Sequence, residues 1–432
     1  MADHPRAVAA ALLVTERLDA DRVVVLRQRM QWVLFAISAL GSTGYIAAVT
    51  VGTLVAADIA GSASFGGIPS STAVIGTAVA ATSLSALMLR VGRRPGLLGG
   101  LGVGVIGAVI AVVSVLTASI PLLLFGAFLS GFANGAANLG RYVAADLVPP
   151  ARRATAIGAV VWGSTIGAVV GPNLVAPAGS LAISLGLPEL AGAFVVTAIF
   201  IGLAFGLAFV LLRPEPYALA DPSALAMRAD VGPAPSFATL LRRPATAVAL
   251  TSLVAGQVVM VLIMTMTPIH LIQHGHGLAT VGLVLSAHTF GMFALSPISG
   301  RLTDRFGSPA VIASGFSVLG VAAVLAALAP PDGGLLLTLA LFLLGWGWNL
   351  GFVAGSAMLT RGLALAERTR VQGIADALVW SSAAVAGLTS GLIVAGASYT
   401  ALGFLGLALL VAPALLLVTQ RARIREAIGA EA

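Results

Sequence analysis

The side chains best suited to holding a soft metal ion crowd into one stretch of this sequence. Residues 258–292 read VVMVLIMTMTPIHLIQHGHGLATVGLVLSAHTFGM and contain four of the nine methionines and four of the five histidines, in a chain with no cysteine and no lysine. Met260 and Met264 are four residues apart, as are His288 and Met292, so each pair shares one face of a helix. If the two flanking apolar runs cross a bilayer antiparallel, depth follows from a rise of about 1.5 Å per residue: Met264 lies roughly 8 Å and Met260 roughly 14 Å below a boundary near Ile269, while His288 lies roughly 11 Å and Met292 roughly 17 Å below one near Val281. The four groups then converge at similar depth. Thioether sulfur with imidazole suits Cu(I), a soft ion, and suits hard cations poorly. An ionisable group inside a membrane run marks function by default; the methionine pairs taken alone suit packing equally well.

The elements that must position these residues are membrane spans. The chain has 432 residues, is 59% hydrophobic and only 9% charged, and has a mean hydropathy of +1.04. A soluble protein would carry about 25% charged residues, so the expectation is an all-α, multi-pass membrane protein in contact with lipid. Twelve apolar runs are read at 31–57, 70–89, 97–117, 121–145, 154–177, 189–212, 245–269, 281–300, 309–329, 335–358, 371–396 and 399–419. Arginines supply all the basic residues and fall on one side of this plan: Arg90, Arg93 and Arg94; Arg141, Arg152 and Arg153; Arg213, Arg228, Arg242 and Arg243; Arg301 and Arg305; Arg361, Arg368 and Arg370; and Arg421, Arg423 and Arg425. That bias puts both termini and these loops in the cytoplasm, in a bacterial inner (plasma) membrane. Residues 1–29 carry five arginines ahead of the first span and do not read as a cleavable signal. The net charge of +7 is spread over short inter-span clusters, which speaks for topology and against nucleic acid. The absence of cysteine excludes disulfides and thiolate metal sites, and the absence of a phosphate-binding loop speaks against ATP hydrolysis by this chain.

The organisation expected is 1–30 as a cytoplasmic segment, 31–212 as a six-helix half, 213–244 as a central cytoplasmic loop rich in Pro and Ala, 245–419 as a second six-helix half and 420–432 as a tail. The halves echo each other. LRVGRR at 89–94 answers DRFGSP at 304–309, and Trp162 and Trp380 each follow an arginine, Arg152 and Arg370, by ten residues. Two six-helix halves with a substrate site near midplane are a known carrier design.

On these motifs the chain resembles the major facilitator superfamily over its whole length. GRLTDRFG at 300–307 is similar to that family's loop between the second and third helices of a half. The resemblance implies that Asp304 and Arg305 pair with inner ends of neighbouring helices and latch one conformation. In the first half Leu89 stands where the family has Asp, leaving Arg90 as the latch candidate, with Arg93 and Arg94 read as topology determinants. Asp146 is expected to pair with Arg152 or Arg153. GSTIGAVVGPNL at 163–174 resembles the family's Gly-rich fifth helix, where small residues allow close helix approach and Pro172 bends the helix.

A narrower resemblance is to the CcoA-type bacterial copper importers, a subgroup that also includes riboflavin-transporter-like members. Met260, Met264, His288 and Met292 match the importers' Met-x-x-x-Met and His-x-x-x-Met motifs in the seventh and eighth helices. It implies a secondary carrier, not an enzyme, that takes up copper through a Met/His site between those helices, works by alternating access as a monomer and holds no permanent cofactor. The alternatives are a riboflavin or other small-molecule importer, a drug exporter, or a non-transporting membrane sensor. For an organic cargo, Tyr45, Asn134, Asn138, Trp346, Trp348 and Asn349 are cavity candidates, with packing and helix–helix hydrogen bonding as the competing reading. His270, His274 and His276 form a possible outer relay for metal, or a polar turn. Met266 points to another face, toward lipid or packing. Asp376 and Asp58 are the candidates for proton coupling.

Overall fold

The computed structural model describes residues 20–62, 65–220, 237–330, 334–361, 363 and 365–429. Among the described residues the regular structure is helical: α1 (Ala20–Ala60), α2 (Gly67–Val91), α3 (Arg93–Leu116), α4 (Ile120–Asp146), α5 (Arg153–Asn173), α6 (Val175–Ser184), α7 (Ala191–Leu211), α8 (Phe237–Leu241), α9 (Pro244–Gln273), α10 (Leu278–Phe293), α11 (Ser296–Phe306), α12 (Ser308–Leu328), α13 (Gly334–Met358), α14 (Leu365–Gly396) and α15 (Tyr399–Gly429). Twelve of these stretches are long and apolar enough to cross a bilayer, with α10 and α11 counting as one broken span.

Local sequence sets the ends. Ser119 accepts a hydrogen bond from the Leu122 amide at 3.5 Å and Pro121 sits in the first turn of α4, a standard N-terminus. Pro244 likewise stands in the first turn of α9. The chain turns between α2 and α3 on Gly92 at φ 111° and between α11 and α12 on Gly307 at φ 83°, conformations open to glycine and costly for other residues. These two glycines occupy matching places in the LRVGRR and DRFGSP motifs, so the repeat seen in sequence is also a repeat of backbone geometry.

The spans differ from the apolar runs at their ends. α1 starts at Ala20, inside the segment read as 1–30, and α15 continues past 419 to Gly429. Arginine is a good helix former, and here it finds partners: Arg27 Nε donates to the Leu219 carbonyl at 2.8 Å and Arg29 to that of Arg213. The run read as 154–177 divides into α5 and the separate α6, the break following Pro172. The run read as 281–300 breaks after Phe293 and resumes as α11 to Phe306. Pro297 cannot donate to the ladder there, and Asn349 Nδ2 of α13 donates to the Met292 carbonyl at 2.6 Å. The first part of the central loop is no open linker, because a 3₁₀ turn at Pro216–Leu219 is buried. Residues 1–19, with Arg6 and Arg17, and 221–236, with Arg228, lie outside the described residues.

Two compact units cut across the sequence halves. The first comprises α1–α4, α5 from Gly163, α6, α7 and α14 up to Trp380. Within it α4 packs against α2, α3 and α1, and α7 against α1 and α3. Gly163, Gly167 and Gly171 of α5 meet Phe35, Ser42 and Thr43 of α1, at distances that leave no room for a Cβ, so the Gly-rich motif allows the close approach expected of it. The second unit comprises α5 up to Trp162, α8–α13, α14 from Ser381 and α15. Its hub is α13, which packs against α9, α10 and α12.

Candidate functional site

A buried charge network lies in the first unit at the arginine-rich ends of its helices. Arg93, the first residue of α3, is fully buried, and its guanidinium meets Asp146 at 2.7 Å and Gln372 of α14 at 3.0 Å. Asp146 also takes Arg368 of α14 at 3.2 Å. A turn further along, Asp376 of α14 accepts two hydrogen bonds from Arg141, at 2.5 and 3.1 Å, and one from the Tyr142 hydroxyl at 3.2 Å. Each carboxylate is thus satisfied by charged donors, the condition for burying it. The expected roles shift accordingly. Arg93 is a buried tie where sequence had made it a topology marker. Arg90 is exposed and makes no ion pair among the described residues. Asp146 pairs with Arg93 and Arg368 in place of Arg152 or Arg153, and Arg153 donates instead to the Thr360 carbonyl. Spacing along the chain misled here, because Asp146 sits at a helix end where α3 and α14, remote in sequence, converge.

Glu215 caps the N-terminus of α3. Its carboxylate accepts from the Arg93 amide at 2.5 Å and the Arg94 amide at 3.2 Å, a favourable position for negative charge. Burial raises its pKa, and the Arg94 and Arg93 amides and the Arg93 charge oppose that rise. Two residues on, the Tyr217 hydroxyl bonds Thr369 of α14 at 2.9 Å.

In the second unit, Asp304 at the end of α11 accepts from the amides of Ala154 at 3.1 Å and Thr155 at 2.8 Å, the first turn of α5. This is a carboxylate capping a helix N-terminus supplied by the other sequence half, as the motif implied. Arg305 beside it is exposed, lying over the Phe306 ring.

The metal candidates all lie in the second unit, and α13 serves as their common ruler. α9 and α10 hardly touch each other; each packs on α13. The expected site between the two helices is therefore organised by a third. α10 and α13 cross at Gly291 and Gly345. A Cβ on Gly291 would collide with the Phe342 carbonyl, and one on Gly345 would stand 2.8 Å from the Met292 amide. At this crossing His288 is buried at 1% exposure, and its Nδ1 meets the Leu341 carbonyl at 2.9 Å. A carbonyl oxygen only accepts, so Nδ1 is the donor, and in the neutral ring Nε2 is left as a bare lone pair. Nε2 is buried and has no hydrogen-bond partner among the described residues. Leaving a buried polar atom unmet costs about 1–3 kcal/mol. On α9, Leu253 packs against Gly355, and Gln257 accepts from Trp348 Nε1 at 2.8 Å, so α9 runs antiparallel to α13. By residue count alone, extending this antiparallel pairing one to two turns of ideal helix would set Met260 opposite Gly345 and Met264 opposite Leu341. The stripe Leu253, Gln257, Met260, Met264 follows helical spacing; Met260 is buried, while Met264 and Met292 are half-buried. The half-buried Met266 side chain comes to about 4 Å from the position of a Cβ on Gly391 in α14.

The cavity candidates separate into structural roles. Tyr45 lines a partly open pocket of about 20 Å³ in the first unit, with Gly52, Pro69, Leu123, Ser130 and Phe194, about the room of a single water. Asn134 donates to Thr77 at 3.3 Å and Asn138 to the Asn134 carbonyl at 2.9 Å; neither lines that space. Trp348 is buried, stacked on Phe352 at 4.5 Å and bonded to Gln257. Asn349 is fully buried and ties Met292, Ser296 and Ser299 across the α10–α11 break. Trp346 lies half-buried beside Phe342, with its indole nitrogen unpaired among the described residues. Asp58 is exposed in the last turn of α1. The three outer histidines are not one cluster: no group of three or more His, Cys, Asp or Glu among the described residues is placed to hold a metal.

Known proteins place this architecture. The model of the Major Facilitator Superfamily matches residues 32–282 and 248–432. The chain is 39% identical to the MFS-type transporter YdeG of Bacillus subtilis, over 90% of this chain and 91% of that one. It is 28% identical to the riboflavin transporter RfnT of Brucella anthropi, over 86% and 91% of the respective chains. Among solved structures, the human organic anion transporter MFSD10 superposes with a TM-score of 0.69 at 18% identity, covering 90% of this chain and 99% of that one. With twelve spans, a two-fold repeat of the Gly92 and Gly307 turns and a family model matched along nearly its whole length, the chain is a multi-pass membrane transporter of the Major Facilitator Superfamily.

Proposed function

We propose that this transporter is a secondary carrier that takes copper into a bacterial cell across the plasma membrane, with the arginine-rich ends and both termini in the cytoplasm. The observation that carries this reading is the His288 ring: Nδ1 is bound to a backbone carbonyl and Nε2 is buried and unmet. A metal-binding imidazole has this arrangement, because the hydrogen bond on one nitrogen fixes the tautomer and aims the other. Met292 lies one turn along on the same face, and residue count along the antiparallel α9–α13 pairing would set Met260 and Met264 at a matching level. Three thioethers and one imidazole match Cu(I). In alternating access, Met264 and His288 receive the ion and Met260 and Met292 hold it deeper.

The test is copper accumulation measured by mass spectrometry in cells with and without the protein. His288→Ala, and Met260→Ala combined with Met264→Ala, are expected to abolish accumulation while the protein remains in the membrane. Wild-type uptake by both variants would refute the assignment. A second reading, riboflavin import, is favoured by the similarity to RfnT. It predicts accumulation of labelled riboflavin that copper does not inhibit and that survives His288→Ala.

A further inference from the structure

At the end of α9 remote from the arginine clusters, two histidine rings lie together. His270 and His274 are one turn apart, with ring centroids 4.3 Å from each other. His274 Nδ1 meets the His270 carbonyl at 2.8 Å. That carbonyl can only accept, so His274 donates from Nδ1 and turns a bare Nε2 outward from an exposed position. His270 is held on its other side by Tyr399, the first residue of α15, stacked at 4.2 Å with an interplanar angle of 15°. Tyr399 is itself fixed. Its hydroxyl bonds Thr267 Oγ1 at 2.8 Å, and since Thr267 already donates to the Ile263 carbonyl, Tyr399 is the donor. The first ring is thus clamped between two helices and the second has its tautomer set by the backbone. His276 turns its ring to the Gly334 end of α13 and is near enough for its charge to act on His270.

We propose that His270 and His274 form a two-imidazole binding site for a divalent late first-row metal ion: Cu(II), Ni(II) or Zn(II). Paired imidazoles with open positions for water suit these borderline ions, and two residues four apart on a helix can reach one ion. The site is chemically distinct from the sulfur-rich His288 set, whose preference is for Cu(I). It does not rest on the copper-import reading and stands if that reading fails.

The probe is Cu(II) alone, added under air without reductant to the full-length chain in detergent, purified through a tag free of histidine. His4→Ala is present throughout, so that the remaining four histidines are compared. Electron paramagnetic resonance of the bound ion reads its nitrogen ligands. The expected result is a two-nitrogen splitting that Zn(II) displaces. His270→Ala and His274→Ala each lose it, while His276→Ala and His288→Ala retain it. Tyr399→Ala is expected to weaken Cu(II) binding without removing either ligand, by about tenfold or more, as loss of a supporting neighbour does. Three results would overturn the proposal: no Cu(II) bound to the His4→Ala chain, an unchanged splitting in the His270→Ala and His274→Ala double variant, or loss of the splitting in His288→Ala alone. Copper uptake measured in cells with the same variants is a separate outcome, so failure of this site and failure of the import reading are told apart.

Discussion

Asp376→Asn should release the start of α14 from α4, and the structure sets the size of the effect. Arg141 and Asp376 are each about 2% exposed and share two charged hydrogen bonds, with the Tyr142 hydroxyl as a third donor. Breaking a buried pair by removing one charge costs about 3–5 kcal/mol, because the remaining charge stays buried and uncompensated. Asparagine keeps one acceptor, so the lower figure applies. About 3 kcal/mol corresponds to roughly a hundredfold change in an equilibrium constant. The chain has no cysteine, so a single Ala375→Cys introduces the only thiol. Ala375 is fully buried beside the pair. When opening is fast relative to labelling, the alkylation rate reports the open fraction. N-ethylmaleimide should therefore label the Asp376→Asn protein about a hundred times faster than its parent. Adding Arg141→Gln removes the orphaned charge and should recover most of the protection. A single variant that labels within about threefold of the parent would refute the reasoning, since 0.6 kcal/mol is the scale of an exposed pair.

Three further expectations follow from the geometry. Gly291→Val places a branched side chain against the Phe342 carbonyl; overpacking of this kind costs about 1–3 kcal/mol, so thermal unfolding in detergent should move down and Cu(I) binding should fall with it. Asp304→Ala removes the cap from α5 at about 0.5–2 kcal/mol, which should raise proteolytic cleavage near Pro150 relative to the parent. Glu215 has its carboxyl pKa raised by burial, so its stabilising contribution is present below the ordinary carboxylate range and lost as pH rises through the raised value. Glu215→Gln lacks that dependence, and its melting temperature should gain on the parent's as pH rises from about 4, near the ordinary glutamate range, through the raised value. A constant difference across that range would contradict the assignment.

Much of the fold was legible because it is written in long-range composition. The twelve apolar runs, the one-sided arginines and the paired LRVGRR and DRFGSP motifs anticipate the spans and the turns on Gly92 and Gly307. Asp304 was legible as well, since the acid and the glycine after it lie in one short motif. Arg93 was not, because its partners Asp146, Gln372 and Glu215 come from three distant segments, and a basic residue at a span end looks the same whether it faces water or a buried carboxylate. The role of Glu215 was hidden in what reads as a linker. In the metal set, helical spacing gave the i, i+4 pairs on α9 and on α10. It could not show that α10 and α9 meet on a third helix, because what brings α10 in is the absence of side chains at Gly291 and Gly345, and glycines are frequent throughout this chain. For Asn349 the sequence leaves cavity lining and helix–helix hydrogen bonding equally open, and the hydrogen bonds to Met292, Ser296 and Ser299 are of the second kind. Its particular task, donating to the Met292 carbonyl where α10 breaks before Pro297, exists only once the break is known.

The central claim is that one imidazole and the neighbouring thioethers bind the transported ion. X-ray absorption at the copper edge of the purified chain loaded with one equivalent of Cu(I) reads it most directly. Sulfur scatterers together with a single imidazole are expected in the parent, and in His288→Ala the imidazole contribution disappears while sulfur remains. An unchanged copper environment in His288→Ala, or a chain that retains no Cu(I), would contradict the account.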